Sequence, residues 1–183
     1  PIHRSSPGGL ALPDKPHGGF EVEPPAGDSA ETASTIVASP LGNLRLVASG
    51  GALTAVAWTD AAPSGATNDP ILQAAAEQLA RYFDDSRHAF DLPLQPKGDA
   101  FERAVWQAMC AIPSGETATY GAIGLATDKP ARAVGGACGR NPIPIIIPCH
   151  RVVGANGAMT GYSGKGGVET KQWLLRHEGA LLI

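Results

Sequence analysis

The sequence predicts a mixed α/β (α+β) protein: a small antiparallel sheet-plus-helix lobe, then a mostly helical lobe carrying a helix-turn-helix pair. Three observations point there. β-leaning runs are confined to residues 35–58, helical periodicity takes over from residue 70, and two short helix-compatible stretches flank Asp128-Lys129-Pro130. At 183 residues the chain is long enough for a substantial core.

Residues 1–33 hold prolines at 1, 7, 13, 16, 24 and 25 and glycine pairs at 8–9 and 18–19, with almost no apolar periodicity. Such a segment cannot bury enough surface to offset the entropy of ordering it, so it reads as a disordered tail. Thr35-Ile36-Val37, Leu44-Arg45-Leu46-Val47 and Leu53 to Trp58 then follow as strands. Pro40-Leu41-Gly42-Asn43 and Gly50-Gly51 separate them at the spacing of a meander. Asp69 and Pro70 open a helix with Ile71, Leu72, Ala75, Ala76, Leu79, Tyr82 and Phe83 on one face. This first lobe spans 34–95, and the second spans 98–183.

In the second lobe, Asp99 with Glu102 three residues on is a capping signature ahead of Phe101, Val105, Trp106 and Met109. Pro113-Ser114-Gly115-Glu116 ends that helix. Thr119 caps a short one through Ala126, and another runs from Ala131 to about Gly139. This last helix is nearly all small residues apart from Arg132 and Arg140. Each glycine weakens it by roughly 1 kcal/mol relative to alanine, so tight packing on a neighbour or close approach to a ligand must compensate. It has too few base-reading side chains for a major-groove reader. A slim helix with one projecting arginine suits a phosphate backbone or a minor groove. On the sequence alone both readings stand.

The chemistry converges on Ile143-Pro144-Ile145-Ile146-Ile147-Pro148-Cys149-His150-Arg151-Val152-Val153. A cysteine beside a histidine and an arginine has neighbours that favour thiolate, which marks Cys149 as a nucleophile. On a strand, Cys149 and His150 would point to opposite faces, so they can cooperate only through a turn or a bridging water. A third group must orient the imidazole, and Glu178 in His177-Glu178-Gly179 is the best candidate, with Glu169 as rival. Gly157 to Gly167 holds five glycines around Tyr162, Thr160 and Ser163, a loop able to lie over a pocket. Cys110 and Cys138 read as packing cysteines. His3, His17, His88 and His177 lack neighbouring ligands, so no metal site is expected.

The net charge is −3, but residues 1–128 carry 7 basic and 15 acidic side chains and residues 129–183 carry 7 basic and 2 acidic. The Cys149 end therefore draws polyanions, or is simply a solvated basic face. Three cysteines without a CxxC spacing fit a reducing compartment. The chain opens on Pro1 rather than methionine, which reads as processing or truncation. No stretch resembles a signal peptide or a membrane span, so a cytoplasmic location is expected.

Taken together, Tyr120, Ala131-Arg132-Ala133-Val134-Gly135-Gly136-Ala137, Asn141-Pro142, Ile147-Pro148-Cys149-His150-Arg151-Val152, Gly161-Tyr162-Ser163-Gly164 and Lys171-Gln172-Trp173-Leu174-Leu175-Arg176-His177-Glu178-Gly179 resemble the O6-alkylguanine-DNA alkyltransferases. The resemblance is strongest over 99–180 and weaker over 35–94, where it implies a ribonuclease-H-like lobe. It implies direct reversal of damage in double-stranded DNA, with no cofactor. A methyl or larger alkyl group would pass once and irreversibly from O6-alkylguanine, and by extension O4-alkylthymine, to Cys149. His150 would take the thiol proton through a water, oriented by Glu178. Tyr120 would serve the leaving base and crowd its phosphate, and Asn141 would brace the turn between the small-residue helix and the active-site strand.

Arg132 would fill the gap left by a flipped nucleotide, with Ala131, Gly135, Arg140 and Tyr120 along the DNA face. Pro144, Val152, Tyr162 and Ser163 would form the base pocket. The resemblance also implies a monomer, with cooperative binding along DNA as a further property. Relatives that bind zinc in the first lobe use cysteines there; this chain has none before 110, so that site is expected to be absent. Two rivals remain on the residues themselves. A Cys-His-Glu acyl-transfer hydrolase would turn over repeatedly, and a helix-turn-helix module would hold Cys149 as an inert thiol.

Overall fold

A computed structural model describes residues 31–181. Strands β1 (Thr32–Val37), β2 (Leu44–Ser49) and β3 (Ala52–Trp58) form one antiparallel sheet in the order β1-β2-β3. Register runs from Thr32 opposite Ser49 to Val37 opposite Leu44, and from Leu44 opposite Trp58 to Ser49 opposite Ala52. The turn between β2 and β3 is Gly50-Gly51, both at positive φ (61° and 80°), the two-residue hairpin that only such backbones allow without strain. Residues 1–30 of the expected tail lie outside the described residues, as do 182 and 183. Thr32 and Ala33, which the sequence reading left in the tail, are instead part of β1 because pairing with Ser49 and Ala48 extends the ladder past the apolar run.

Helix α1 (Pro70–Asp84) packs Leu72, Ala75, Leu79 and Tyr82 under the sheet. It starts as expected, with the Asp69 carboxylate accepting from the amides of Ile71 and Leu72 and Pro70 in the first turn. Leu53 bridges to Leu94 at the end of this lobe. Helix α2 (Ala100–Cys110) opens with the Asp99–Glu102 capping box and buries Val105, Trp106 and Met109. Its Trp106 indole N–H donates to the Ala137 carbonyl at 2.9 Å, which fixes α2 against the small-residue helix.

The expected helix pair is α3 (Tyr120–Thr127) and α4 (Ala131–Gly139), with Thr119 capping α3 through the Ala122 amide. Between them Asp128 takes a left-handed conformation, and the chain passes so close to Gly124 that a Cβ there would strike the Lys129 carbonyl. Short strands β4 (Ala118–Thr119) and β5 (Val152–Val153) pair in parallel and set the start of α3 beside the Cys149 segment. Helix α5 (Val168–His177) closes the fold, with Glu178 as its C-cap and Gly179 at φ 77° ending it. The Val56 amide donates to the Pro142 carbonyl at 2.9 Å, joining β3 to the active-site segment.

Candidate active site

Asn141 organises the segment that delivers the thiol. Its Nδ2 donates to the Ile147 carbonyl at 2.9 Å, and its Oδ1 accepts from the Ile143 amide at 3.0 Å. Between those anchors Ile145, fully buried, adopts φ 73°, a conformation that a β-branched residue holds only when its surroundings impose it. Pro148 follows, and Cys149–Arg151 is a 3-10 turn rather than the strand the sequence suggested. The turn removes the strand's opposite-face problem.

Burial pushes the Cys149 thiol up from its ordinary range, opposed by the Asn141 side chain and the Lys171 ammonium. This reverses the expectation that its neighbours favour thiolate. Arg151 is turned away to Glu178, and desolvation of the sulfur outweighs what remains. Burial likewise lowers the His150 imidazole below its usual value, although the Glu178 carboxylate works against this. Both shifts favour the uncharged forms, thiol and imidazole.

His150 Nε2 lies 2.8 Å from Glu178 Oε1, both side chains sealed from solvent, so Glu178 and not Glu169 is the orienting group. The carboxylate therefore holds the imidazole with its proton on Nε2, leaving Nδ1 without a protein partner. Arg151 closes on the same carboxylate as a fork, Nε to Oε2 and Nη2 to Oε1, each at 2.9 Å, while Nη1 donates to the Ile112 carbonyl at 2.6 Å. The Tyr82 hydroxyl adds a bond to Oε1 at 2.8 Å. Burial opposes ionisation of Glu178, but the bonds from His150 and Arg151 hold its carboxyl down at about 2.

Cys149 forms part of the wall of a cavity of about 560 Å³ lined also by Tyr120, Ala131, Arg132, Gly135, Cys138, Gly139, Thr160, Gly161, Tyr162 and Ser163. Two helices, the thiol turn and the glycine-rich loop thus meet at one opening. Arg132 and Ala131 are exposed there. Cβ atoms built on Gly135 and Gly139 would meet nothing, so these glycines are not there to pack tightly on a neighbour. They keep the cavity side of α4 bare. The loop rests on the first lobe: Tyr162 meets Trp58 edge-on at 6.4 Å between ring centres, and Lys165 pairs with Asp60 at 3.1 Å.

Two expected pocket residues fall elsewhere. Pro144 and Val152 are not on the wall of this cavity: Pro144 is buried within the apolar run, and Val152 is in the core, paired with Ala118. Arg140, exposed at the end of α4, pairs with Glu102 at the start of α2. The sequence reading missed others. Cys138 joins the cavity wall, where burial pushes its thiol up to about 12. Lys171 is almost fully buried on α5, with Nζ 3.3 Å from the Thr160 carbonyl and 3.4 Å from the Tyr120 hydroxyl oxygen. A lysine in register with buried Leu174 and Leu175 was the available signal. Among the described residues no cluster of His, Cys, Asp or Glu could hold a metal ion.

A family model for the DNA-binding domain of 6-O-methylguanine DNA methyltransferase matches residues 100–180, and one for its ribonuclease-like domain matches residues 33–96. The chain belongs to the methylated-DNA–protein-cysteine methyltransferase family. A curated member from Mycolicibacterium paratuberculosis is 45% identical over 157 residues, covering 80% of this chain and 94% of that protein. The crystal structure of the Mycobacterium tuberculosis O6-methylguanine methyltransferase superposes with a TM-score of 0.71 at 38% identity, covering 82% of this chain and 94% of the other. That of Mycobacterium tuberculosis OGT in complex with DNA does so with a TM-score of 0.67 at 41% identity, covering 79% and 91%. This chain is an enzyme of the family, a DNA-binding methyltransferase of DNA repair.

Proposed function

We propose that the protein repairs O6-alkylguanine in double-stranded DNA by moving the alkyl group irreversibly onto its own Cys149, once per molecule. One observation carries the reading: a buried thiol and a bare helix bearing Arg132 share the wall of a single cavity, and the thiol's neighbour in its turn is an imidazole backed by a carboxylate. A resting neutral thiol suits a nucleophile deprotonated only as it reacts. Its proton passes through one water to His150 Nδ1, and Glu178 stabilises the imidazolium that forms. The sulfur–carbon bond then forms as the carbon–O6 bond breaks, and guanine departs.

The departing base needs a proton near its ring. Thr160 Oγ1 donates to the Tyr120 oxygen at 3.1 Å and Lys171 Nζ approaches the same oxygen. With its lone pairs so engaged, the phenol's own O–H is left to point at the substrate. The carbon is inaccessible inside a base stack, so the nucleotide must be extruded into the cavity. Arg132, at the opening and in no ion pair among the described residues, would take its place in the duplex, with α4 lying along the minor groove. The Ser163 hydroxyl and backbone groups of Cys149 would bond the base edge. Three free cysteines support a reducing, cytoplasmic setting.

The test is intact mass with peptide mapping after mixing the protein with a short duplex containing one O6-methylguanine. One methyl per protein at Cys149, stopping at equal stoichiometry, is the expected result. Binding of the lesion without methylation would leave a recognition module, and neither would return the hydrolase. An O4-methylthymine duplex run alongside defines the substrate range.

A further inference from the structure

Glu178 takes its donors from both lobes. His150 and Arg151 come from the thiol turn, but the third donor, the Tyr82 hydroxyl, comes from α1 of the first lobe, 96 residues away in sequence. Tyr82 has no exposed surface, and its ring is fixed by Phe83, Phe90 and His177 at centroid distances of 5.2, 5.4 and 5.3 Å. The His177 imidazole also bonds the Tyr82 carbonyl at 2.8 Å, so α1 and the end of α5 are locked together.

We propose that Tyr82 is a positioning residue for the transfer reaction, through which the first lobe sets the orientation and basicity of the His150–Glu178 relay. The inference rests on the transfer mechanism proposed above.

Oε1 of Glu178 is the atom shared by His150, Arg151 and Tyr82. A neutral O–H donor there does two things. It prevents the carboxylate from swinging on the Arg151 fork, and it draws off negative charge that otherwise bears on the imidazole. The other titratable and charged groups facing this relay are Cys149 and Arg151 on its own turn, Lys171 on α5 and Tyr162 on the glycine loop, with Cys110 of α2 near Arg151. Of these only Arg151 reaches Oε1, as one arm of its charged fork, and none supplies a neutral O–H donor there.

Tyr82→Phe keeps the ring and removes the donor. Without it the imidazolium is better stabilised, so His150 takes up its proton at higher pH. The acid limb of the rate-against-pH profile for Cys149 alkylation therefore moves up, and the rate at neutral pH falls about tenfold, the scale of one lost bond to a charged group. Replacing Tyr82 by 3-fluorotyrosine gives a stronger donor with the bond intact, and the limb moves down. The same profiles are read with iodoacetamide on Cys149 by peptide mapping, which needs no DNA. Wild-type protein that alkylates with iodoacetamide but takes no methyl from the duplex defeats the proposed function alone. A limb that stays in place in both variants, or a slower Tyr82→Phe with an unmoved limb, overturns the role of Tyr82. Should Tyr82→Phe not fold, the fluorotyrosine limb decides: downward supports the role and no movement overturns it.

Discussion

The two sides of the Cys149 cavity are built on opposite principles. Behind the thiol, Glu178, His150, Arg151 and Tyr82 form a dry network in which the carboxylate has four bonds and no freedom. In front, α4 presents Ala131, Arg132, Gly135 and Gly139, exposed or bare, with almost nothing touching them. Chemistry that must move one proton along one line is served by saturation and burial. Docking against a surface supplied by another molecule is served by the absence of side chains. Substitutions in the first region should therefore damage rate and stability together, whereas those in the second should separate them.

The largest effect is expected at the junction. Cys149→Ser should abolish transfer while leaving the fold and the binding of damaged duplex intact, seen as no mass gain beside an unchanged gel-shift affinity. Loss of binding as well would mean that the thiol turn, not α4, holds the DNA.

Next is Glu178→Gln, which leaves the Arg151 charge buried without its counter-ion. A slower alkylation by about 10²-fold is expected, with unfolding free energy reduced by about 3 kcal/mol in urea titration. The same residue sets a pH signature. Its folded pKa is depressed from 4.5 to about 2, so its contribution is fully present above pH 4.5 and is lost as pH falls toward 2. Over that window the wild type should lose on the order of 3 kcal/mol more than Glu178→Gln does. Equal slopes would remove the carboxylate from the stability network.

Arg132→Ala belongs to the other side. It should lower repair of duplex DNA by about tenfold, as for one lost charged contact, with the reaction toward a free alkylated base unchanged and stability within about 0.5 kcal/mol. Equal losses on both substrates would refute its part in nucleotide extrusion.

How far each region could be read in the sequence follows from the range of its interactions. The caps at Asp69, Asp99 and Thr119 and the left-handed turn before α4 are local, and the sequence specifies them within three or four residues. Glu178 was found because carboxylates are scarce after residue 128. Tyr82 was visible only as one apolar position among seven on α1, since nothing local marks which of them meets a carboxylate 96 residues on. The turn at Cys149 was misread as strand because its apolar run mimics one. What bends it is Asn141 reaching over to Ile147 and a strained Ile145, both tertiary effects. The fate of Pro144 and Val152 depends on the same bend.

The finest test of the contrast is Gly135→Ala. Gly135 lies inside α4 with open space where a Cβ would stand, so alanine should stabilise the helix by about 0.5–1 kcal/mol. For a protein of this size that is a rise in Tm of roughly 1–4 °C. The same methyl would project on the side of the helix that lines the cavity. If α4 lies against the duplex there, repair should fall by about threefold even as stability rises, a loss under 1 kcal/mol. No packing argument yields that combination, because a glycine retained for packing would lose stability on substitution. A stabilised protein with undiminished repair would place the DNA on some other face and leave the bare helix without a purpose.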